Sequence, residues 1–360
     1  MNKDRCIGAA LIVALAALVS VGLWKTHGGR GPRREPVVRR IDGLMGTTAR
    51  VAAVVAPGRG ATAEPLLHEA EQTLRRIEAR MSTWLADSET GRLNAAPANR
   101  HVPLSPEVLG LLRTARRAAA DTDGAFDVTC RPLIELWRTA GKTGRLPTDA
   151  ELTAARAASN WDLFELDDAG AVKQSDTARL DLGGIAKGYA IDRALDVLRR
   201  DGRLEGGLVD VGGDLACFGR PPSGDRWPVD VQNPFGNGVL LRLRIPGGAV
   251  CTSGAYARYV EIEGKRYSHI LDPRTARPAD AARSVTVVAP TAVTADVWAT
   301  ALSVLGVEGF SRLPEGVEAL IVEGNKDSPR LRCTRGFGDL LEEPLHVAPP
   351  PGRTGSGHVR

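Results

Sequence analysis

The sequence predicts an α+β fold whose sheet is largely antiparallel. Segments with a helical spacing of apolar residues come early, a block of short extended runs follows, and another helix comes after that block. The 360 residues include 40 glycines and 23 prolines, which favours many turns over a long helical bundle. No internal repeat is evident, so the order of elements points to one α+β body.

Four helices are predicted from the spacing of apolar residues. Pro65 and Pro106 precede the first two, and proline is favoured in the first turn of a helix. Gly202 and Gly306 end the last two. The predicted helices cover 66–81, 108–119, 191–198 and 298–305, and the extended runs between the third and the fourth are 207–211, 227–231, 239–245, 258–262 and 284–289.

Charge and cysteine spacing exclude some classes of function. Residues 1–40 hold eight Lys or Arg and two acidic residues, so the other 320 residues carry a net charge of −2 although the whole chain carries +4. The body is therefore not basic, and we expect no nucleic-acid partner. The five cysteines are widely spaced without a Cys-x-x-Cys pair, which argues against a zinc site and a disulfide framework.

The N-terminus contains an uncharged stretch of 18 residues, 7–24, behind Lys3 and Arg5. This length is short for a membrane-spanning helix and long for a signal-peptide core. Residues 1–24 are thus an uncleaved membrane anchor or a cleaved signal, and the lack of a clear Ala-x-Ala site favours the anchor. The positive charge after Trp24, taken alone, argues for a cytoplasmic body. The other predicted segments are a basic linker at 25–40, the body at 41–348 and a disordered Pro/Gly tail at 349–360.

A glycine pair lies where an extended run meets the third helix, in the segment Asp181-Leu-Gly-Gly-Ile-Ala-Lys187. Paired glycines let a ligand approach the backbone, and a helix start offers free N–H groups to phosphate. Lys187 is placed to reach an anionic oxygen. The segment matches neither a Walker A loop nor G-x-G-x-x-G, and a tight strand–helix turn with a solvated lysine explains it as well.

His269 is a candidate for proton transfer. It ends a strand-like run beside Asp272 and Pro273, whereas the other five histidines lie on early or exposed segments, in the linker or in the tail. Such a histidine acts as a general base or holds a polar group in place. A purely structural role in the turn remains open.

Asp296 and Thr300 open the fourth helix and are candidates for binding a cation. Residues four apart share one helix face, so the two side chains can point oxygens at one spot. Carboxylate and hydroxyl oxygens suit a hard cation such as Mg²⁺. The alternative is that Asp296 is only an acid favoured by the helix dipole.

Taken together and in order, these segments resemble the ApbE family, the FAD:protein FMN transferases. The resemblance covers about residues 41–310. Each piece is short, but eight in family order are specific to that family. The eight segments are 44–48, 81–84, 124–129, 180–192, 211–214, 252–254, 268–273 and 295–302.

The resemblance implies an α+β body with a T-fold-like core that binds FAD. It implies Mg²⁺ bound by the Gly184 carbonyl, Asp296 and Thr300, with His269 as the catalytic histidine. The FAD contacts that it implies are Met45, Trp84, Ala125, Phe126, Asp127, Asp181 and Lys187. The sequence departs from the family at Arg138 and Ala276, where glycine is usual, and at Trp84, which is often tyrosine.

The family moves FMN from FAD to a threonine hydroxyl of a partner protein and releases AMP. The resemblance therefore implies an acceptor protein, such as a membrane redox subunit, and action at the periplasmic face of the inner membrane, which we weigh above the charge after Trp24. Two other functions are open. Hydrolysis of FAD to FMN and AMP would use the same site, whereas His269, Asp296 and Thr300 argue against a periplasmic protein that binds FAD or Mg²⁺ without catalysis.

Overall fold

The computed structural model describes residues 34–254 and 259–343. The helices of these residues are α1 (Glu64–Met81), α2 (Glu89–Ala95), α3 (Pro106–Asp121), α4 (Arg131–Thr143), α5 (Asp149–Ala157), α6 (Ala186–Arg199), α7 (Ala292–Leu305) and α8 (Arg335–Gly338). The strands are β1 (Glu35–Leu44), β2 (Thr47–Val55), β3 (His101–Pro103), β4 (Phe164–Leu166), β5 (Gly170–Lys173), β6 (Gly206–Val211), β7 (Asp214–Gly219), β8 (Trp227–Gln232), β9 (Val239–Ile245), β10 (Gly248–Gly254), β11 (Tyr259–Ile262), β12 (Lys265–Ser268), β13 (Leu271–Asp272), β14 (Arg277–Pro278), β15 (Ser284–Ala289), β16 (Glu318–Asn325) and β17 (Ser328–Cys333).

Eight of these strands form one sheet in the order β1-β2-β6-β7-β10-β15-β16-β17. Each neighbouring pair is antiparallel. The predicted α+β class is confirmed. The four predicted helices correspond to α1, α3, α6 and α7, and the five predicted runs correspond to β6, β8, β9, β11 and β15. Residue 258 of one run lies outside the described residues.

The edge strand β1 begins at Glu35, inside the segment 25–40 that the sequence analysis assigns to a linker. Its register with β2 starts at Glu35 opposite Val55, so the folded body begins before the predicted boundary at residue 41. Arg39 forms ion pairs with two glutamates on α1, at 2.9 and 3.2 Å. The basic residues suggested a linker, but an edge strand commonly carries such charges. The predicted anchor and tail lie outside the described residues.

Helices α1, α6 and α7 pack on one face of the sheet and form the largest apolar core. The buried face of α1 includes Leu67, Leu74 and Ile77, which follow the helical period. Fully burying each such side chain stabilises the fold by roughly 1.5–3 kcal/mol. This layer holds α6 and α7 against the sheet, and both helices carry candidate site residues.

The opposite face of the sheet is covered by the β8–β9 hairpin. Trp227 of β8 is buried against the sheet and donates its indole N–H to the Gly219 carbonyl at 3.0 Å. A third, smaller core joins α4 and α5 to strands β11 and β13 through Leu133, Trp137 and Ile262. Helix α4 therefore packs outside the main core, and its residue Arg131 lies next to the loop before α6.

In the described ranges, one helical segment, Ala292–Arg312, has the length and hydropathy of a membrane span. It consists of α7 and the 3₁₀ turn that follows. Within its most apolar stretch, 61% of the residues are buried inside the body. A helix that packs against α6, β10 and β15 in this way needs apolar residues all round to form the core.

The N-terminal ends of α6 and α7 meet, and each binds a carboxylate from the other. Asp192 of α6 accepts the backbone N–H groups of Ala292 and Val293 at 2.8 and 3.0 Å. In return, Asp296 of α7 accepts the N–H of Gly188 at 3.0 Å. Free N–H groups at a helix start need such acceptors. This reciprocal capping fixes where the two helices begin relative to each other.

Gly188 is required for this approach, which gives a first prediction. A Cβ at Gly188 would lie 2.9 Å from the Cα of Val293 and closer still to the Ala292 carbonyl oxygen. Because both neighbours are backbone, neither can rotate away. We expect Gly188→Ala to destabilise the protein by about 1–3 kcal/mol, the usual cost of overpacking, in chemical unfolding experiments.

Gly110→Ala is the matched control. Gly110 lies in α3, and a Cβ there would meet no atom within 4 Å apart from its chain neighbours and the backbone of its own helix. Alanine is the better helix former, so we expect this variant to be more stable by about 0.5–1 kcal/mol. An equal change in the free energy of unfolding of the two variants would contradict the tight α6–α7 contact.

Candidate active site

Asp296 is a buried carboxylate in the first half of α7, with 4% of its surface exposed. One of its oxygens, Oδ2, accepts the N–H of Gly188. Among the described residues, neither Lys nor Arg forms an ion pair with this carboxylate, and Oδ1 accepts no hydrogen bond. A buried charge with a single amide partner is costly unless a cation joins it. The position is therefore suited to a metal ion.

The other two predicted metal ligands lie beside each other. A Cβ at Gly184 would be 3.1 Å from Thr300 Oγ1 and 3.2 Å from a ring carbon of Phe126. Thr300 is one helical turn after Asp296, so both oxygens point from the same face of α7. A carboxylate, a hydroxyl and a backbone carbonyl make an all-oxygen set. Such a set fits Mg²⁺ and leaves room for phosphate oxygens and water.

Asp181 is held in place in the loop before α6. Its Oδ1 accepts the N–H of Gly183 at 2.9 Å, and its Oδ2 accepts from Arg131 at 2.9 Å. Arg131 also donates to Thr83 Oγ1 at 3.1 Å and lies 4.8 Å from the ring centre of Trp84. Arg131 thus connects two predicted FAD contacts. Arg131 carries no signal in the sequence, because no local pattern marks an arginine whose partners are 48 and 50 residues away.

The segment 124–129 forms a buried wall next to Gly184. Ala125 and Phe126 are 1% and 2% exposed, and the Phe126 N–H donates to Thr122 Oγ1 at 3.1 Å. Burial raises the pKa of Asp127 to about 6, against the opposing effect of its hydrogen bond from the Thr129 N–H at 2.8 Å. A carboxylate in this position is ionised at neutral pH and still close to protonation.

Lys187 lies in the first turn of α6 and forms an ion pair with Asp214. The second oxygen of Asp214 accepts the Thr252 N–H at 2.9 Å. The sequence predicts that Lys187 reaches an anionic oxygen, and its first partner in the structure is this carboxylate. A phosphate that contacts Lys187 must therefore share it with Asp214. From the sequence alone, the segment 211–214 could bind a ligand or form a simple turn, and both explain its glycine pair and Asp214 equally well.

Met45 and His269 lie on other elements. Met45 forms the β1–β2 turn with a φ of 48°, and its N–H donates to Glu78 Oε1 of α1 at 2.7 Å. His269 is exposed on the bend between β12 and β13. The ring of Tyr267, two residues before it, lies 5.4 Å from the ring of Trp137 on α4. His269 therefore lies two residues from a side chain that packs on α4, the helix that also carries Arg131.

The oxygen-only set, Lys187 and the exposed Trp84 beside Arg131 could together hold an anionic ligand with a hard cation. The chain belongs to the ApbE family, whose model matches residues 45–321. A FAD:protein FMN transferase from Vibrio cholerae is 34% identical over 307 residues, which are 83% of this chain and 91% of the relative. One from Salmonella typhimurium is 35% identical over 283 residues, 76% of this chain and 80% of the relative.

Solved structures agree with this assignment. The apo form of the flavinyl transferase ApbE from Pseudomonas stutzeri superimposes with a TM-score of 0.75 at 30% identity, over 87% of this chain and 99% of that chain. The ApbE-type α+β fold implied by the sequence is confirmed.

The raised pKa of Asp127 gives a second prediction. Its carboxyl takes up a proton more readily in the folded than in the unfolded chain, so its contribution to stability falls as the pH rises from 3.8 to about 6. We expect Asp127→Asn to be more stable than wild type at pH 7.5, by at most about 3 kcal/mol. The gain should disappear below pH 4, in denaturant titrations at both pH values.

The same change should weaken FAD binding if Asp127 contacts the ligand as a carboxylate. A variant that is less stable at pH 7.5, or whose gain is independent of pH, would contradict the burial argument. Asp196→Asn is the control, because Asp196 is a half-exposed residue of α6 whose side chain is 44% exposed.

Proposed function

We propose that this protein is a Mg²⁺-dependent FAD:protein FMN transferase. It moves FMN from FAD to a threonine hydroxyl of an acceptor protein, through a phosphoester bond, and releases AMP. The observation that carries the proposal is the buried carboxylate of Asp296, which has no cationic partner in the described ranges and lies one turn from Thr300. The function of the relatives from Vibrio cholerae and Salmonella typhimurium supports the same chemistry.

The proposed transfer exchanges one phosphorus–oxygen bond for another. The threonine oxygen of the acceptor bonds to the FMN-side phosphorus of FAD, and the bond from that phosphorus to the bridging oxygen breaks. The bridging oxygen leaves with AMP, and the hydroxyl proton passes to a base. A bound Mg²⁺ would offset negative charge on the phosphoryl oxygens and on AMP.

Different residues of this chain would bind the metal, contact the phosphates and accept the proton. Asp296, Thr300 and the Gly184 carbonyl would hold the metal. Lys187, in the first turn of α6, would contact a phosphate oxygen and share its charge between that phosphate and Asp214. His269 is the proposed general base, because it is exposed and can be reached by the hydroxyl of another protein. General-base help is worth roughly 10²–10⁴-fold in rate.

We also propose where the protein acts and on what. The uncharged stretch 7–24 supports attachment to the inner membrane. The resemblance to the ApbE family, weighed above the positive charge after Trp24, supports a body on the periplasmic face. The acceptor would then be a membrane redox subunit or a similar flavoprotein that carries the target threonine.

Intact-mass analysis of an acceptor protein tests the transfer. Purified protein, FAD, Mg²⁺ and the acceptor should give an acceptor heavier by one FMN moiety, with AMP released. An acceptor whose target threonine is replaced by valine should stay unmodified. Release of FMN and AMP with an unmodified acceptor would instead identify a FAD hydrolase, and unchanged FAD would leave only ligand binding.

A third prediction concerns Asp296. Asn at this position keeps an acceptor for the Gly188 N–H but removes the charge. We therefore expect Asp296→Asn to lower Mg²⁺-dependent turnover at least a hundredfold while FAD binding changes less. Asp230→Asn is the control, because Asp230 is also a buried carboxylate but lies in the β8–β9 hairpin, on the opposite face of the sheet from α6 and α7. Turnover of that variant, measured well below its melting temperature, should stay within about fivefold of wild type, whereas an equal loss in both variants would remove the metal role.

A fourth prediction concerns His269. We expect His269→Ala to bind FAD and Mg²⁺ normally and to transfer FMN at least a hundredfold more slowly. Melting temperature, FAD affinity and rate should be measured on one preparation. A variant that loses stability and FAD affinity together would show that His269 only braces its bend, and normal transfer would exclude both roles.

A further inference from the structure

Two arginines of α4 contact the same exposed tryptophan. Arg131 and Arg138 are seven residues apart, so they lie on one face of the helix, two turns from each other. Their guanidinium carbons are 4.8 and 4.5 Å from the ring centre of Trp84. Trp84 itself is 67% exposed, which is unusual for so large an aromatic side chain.

The two guanidinium groups differ in their electrostatic surroundings. Arg131 is 8% exposed and is neutralised by Glu135 at 2.8 Å and Asp181 at 2.9 Å. Arg138 is half-buried, and within the described part of the chain its guanidinium makes neither an ion pair nor a hydrogen bond. A cation held over an aromatic ring without a counter-ion is available to an anionic ligand.

Trp84 is connected to the proposed metal site by a short series of contacts. Arg131 joins Trp84 to Asp181, and Asp181 accepts the N–H of Gly183. The next residue, Gly184, faces Thr300. The charge of Arg138 therefore lies at the Trp84 end of this series, and the proposed metal ligands lie at the other end.

We propose that Arg138 is a further substrate-binding residue, whose guanidinium pairs with a phosphate of the dinucleotide while a ring of that ligand lies at Trp84. Arg131 keeps its carboxylate partners and holds Trp84 in place, whereas Arg138 is the guanidinium that binds the phosphate. The identity of the ligand as FAD rests on the proposed function. The role of Arg138 itself rests on its missing counter-ion and its contact with Trp84.

The test compares FAD with riboflavin, which keeps the isoalloxazine ring and lacks both phosphates. We expect Arg138→Gln to raise the Kd for FAD about tenfold, as the loss of a charge-assisted hydrogen bond does, and the Kd for riboflavin less than twofold. The FAD affinity of the variant should also depend less steeply on salt than that of wild type. Arg138→Lys, which keeps the charge, should recover most of the lost FAD affinity.

Lys142→Gln is the matched control, because Lys142 is an exposed cation near the end of the same helix. It should leave both affinities within twofold. An equal loss of FAD and riboflavin binding in Arg138→Gln would overturn the proposal, because Arg138 would then serve only the aromatic platform, and unchanged FAD affinity would overturn it as well. These readouts are binding constants, so they separate Arg138 from the proposed function: an unmodified acceptor with normal FAD binding refutes the transfer and leaves the role of Arg138 standing.

Discussion

The reciprocal capping of α6 and α7 is the contact on which the site depends. Each helix begins against the carboxylate of the other, Asp192 on one side and Asp296 on the other. Gly188 permits this approach because a side chain there would meet the backbone of α7. The contact sets the position of the loop before α6, and with it the distance from Gly184 to Thr300. A structural hydrogen bond therefore also arranges the proposed metal ligands.

The charges of the site follow a simple division. The cations that hold the architecture have carboxylate partners, as Arg131 does with Asp181 and Lys187 does with Asp214. In the described ranges, Asp296 and Arg138 form no ion pair, and we assign both to ligands. Asp296 is an anion left for a metal, and Arg138 is a cation left for a phosphate. Leaving a buried charge unpaired costs stability, which binding of the missing partner then recovers.

Much of this arrangement could be predicted from the sequence, because several signals are local. Apolar spacing located α1, α3, α6 and α7, and the i, i+4 spacing brought Asp296 and Thr300 to one face. Contacts between distant segments have no local sequence pattern, so only the structure identifies the partners of Arg131 and Lys187. Residues 35–40 have the composition of a basic linker although they form an edge strand, because charged edge strands and basic linkers have similar composition.

Anomalous diffraction from crystals grown with FAD and Mn²⁺ in place of Mg²⁺ tests the central claim most directly. Mn²⁺ takes the same oxygen ligands and can be located by its own signal. The account predicts one strong peak coordinated by Asp296, Thr300 and the Gly184 carbonyl, next to the pyrophosphate, and its loss in Asp296→Asn. A peak at other residues, or one that persists in this variant, would contradict the account.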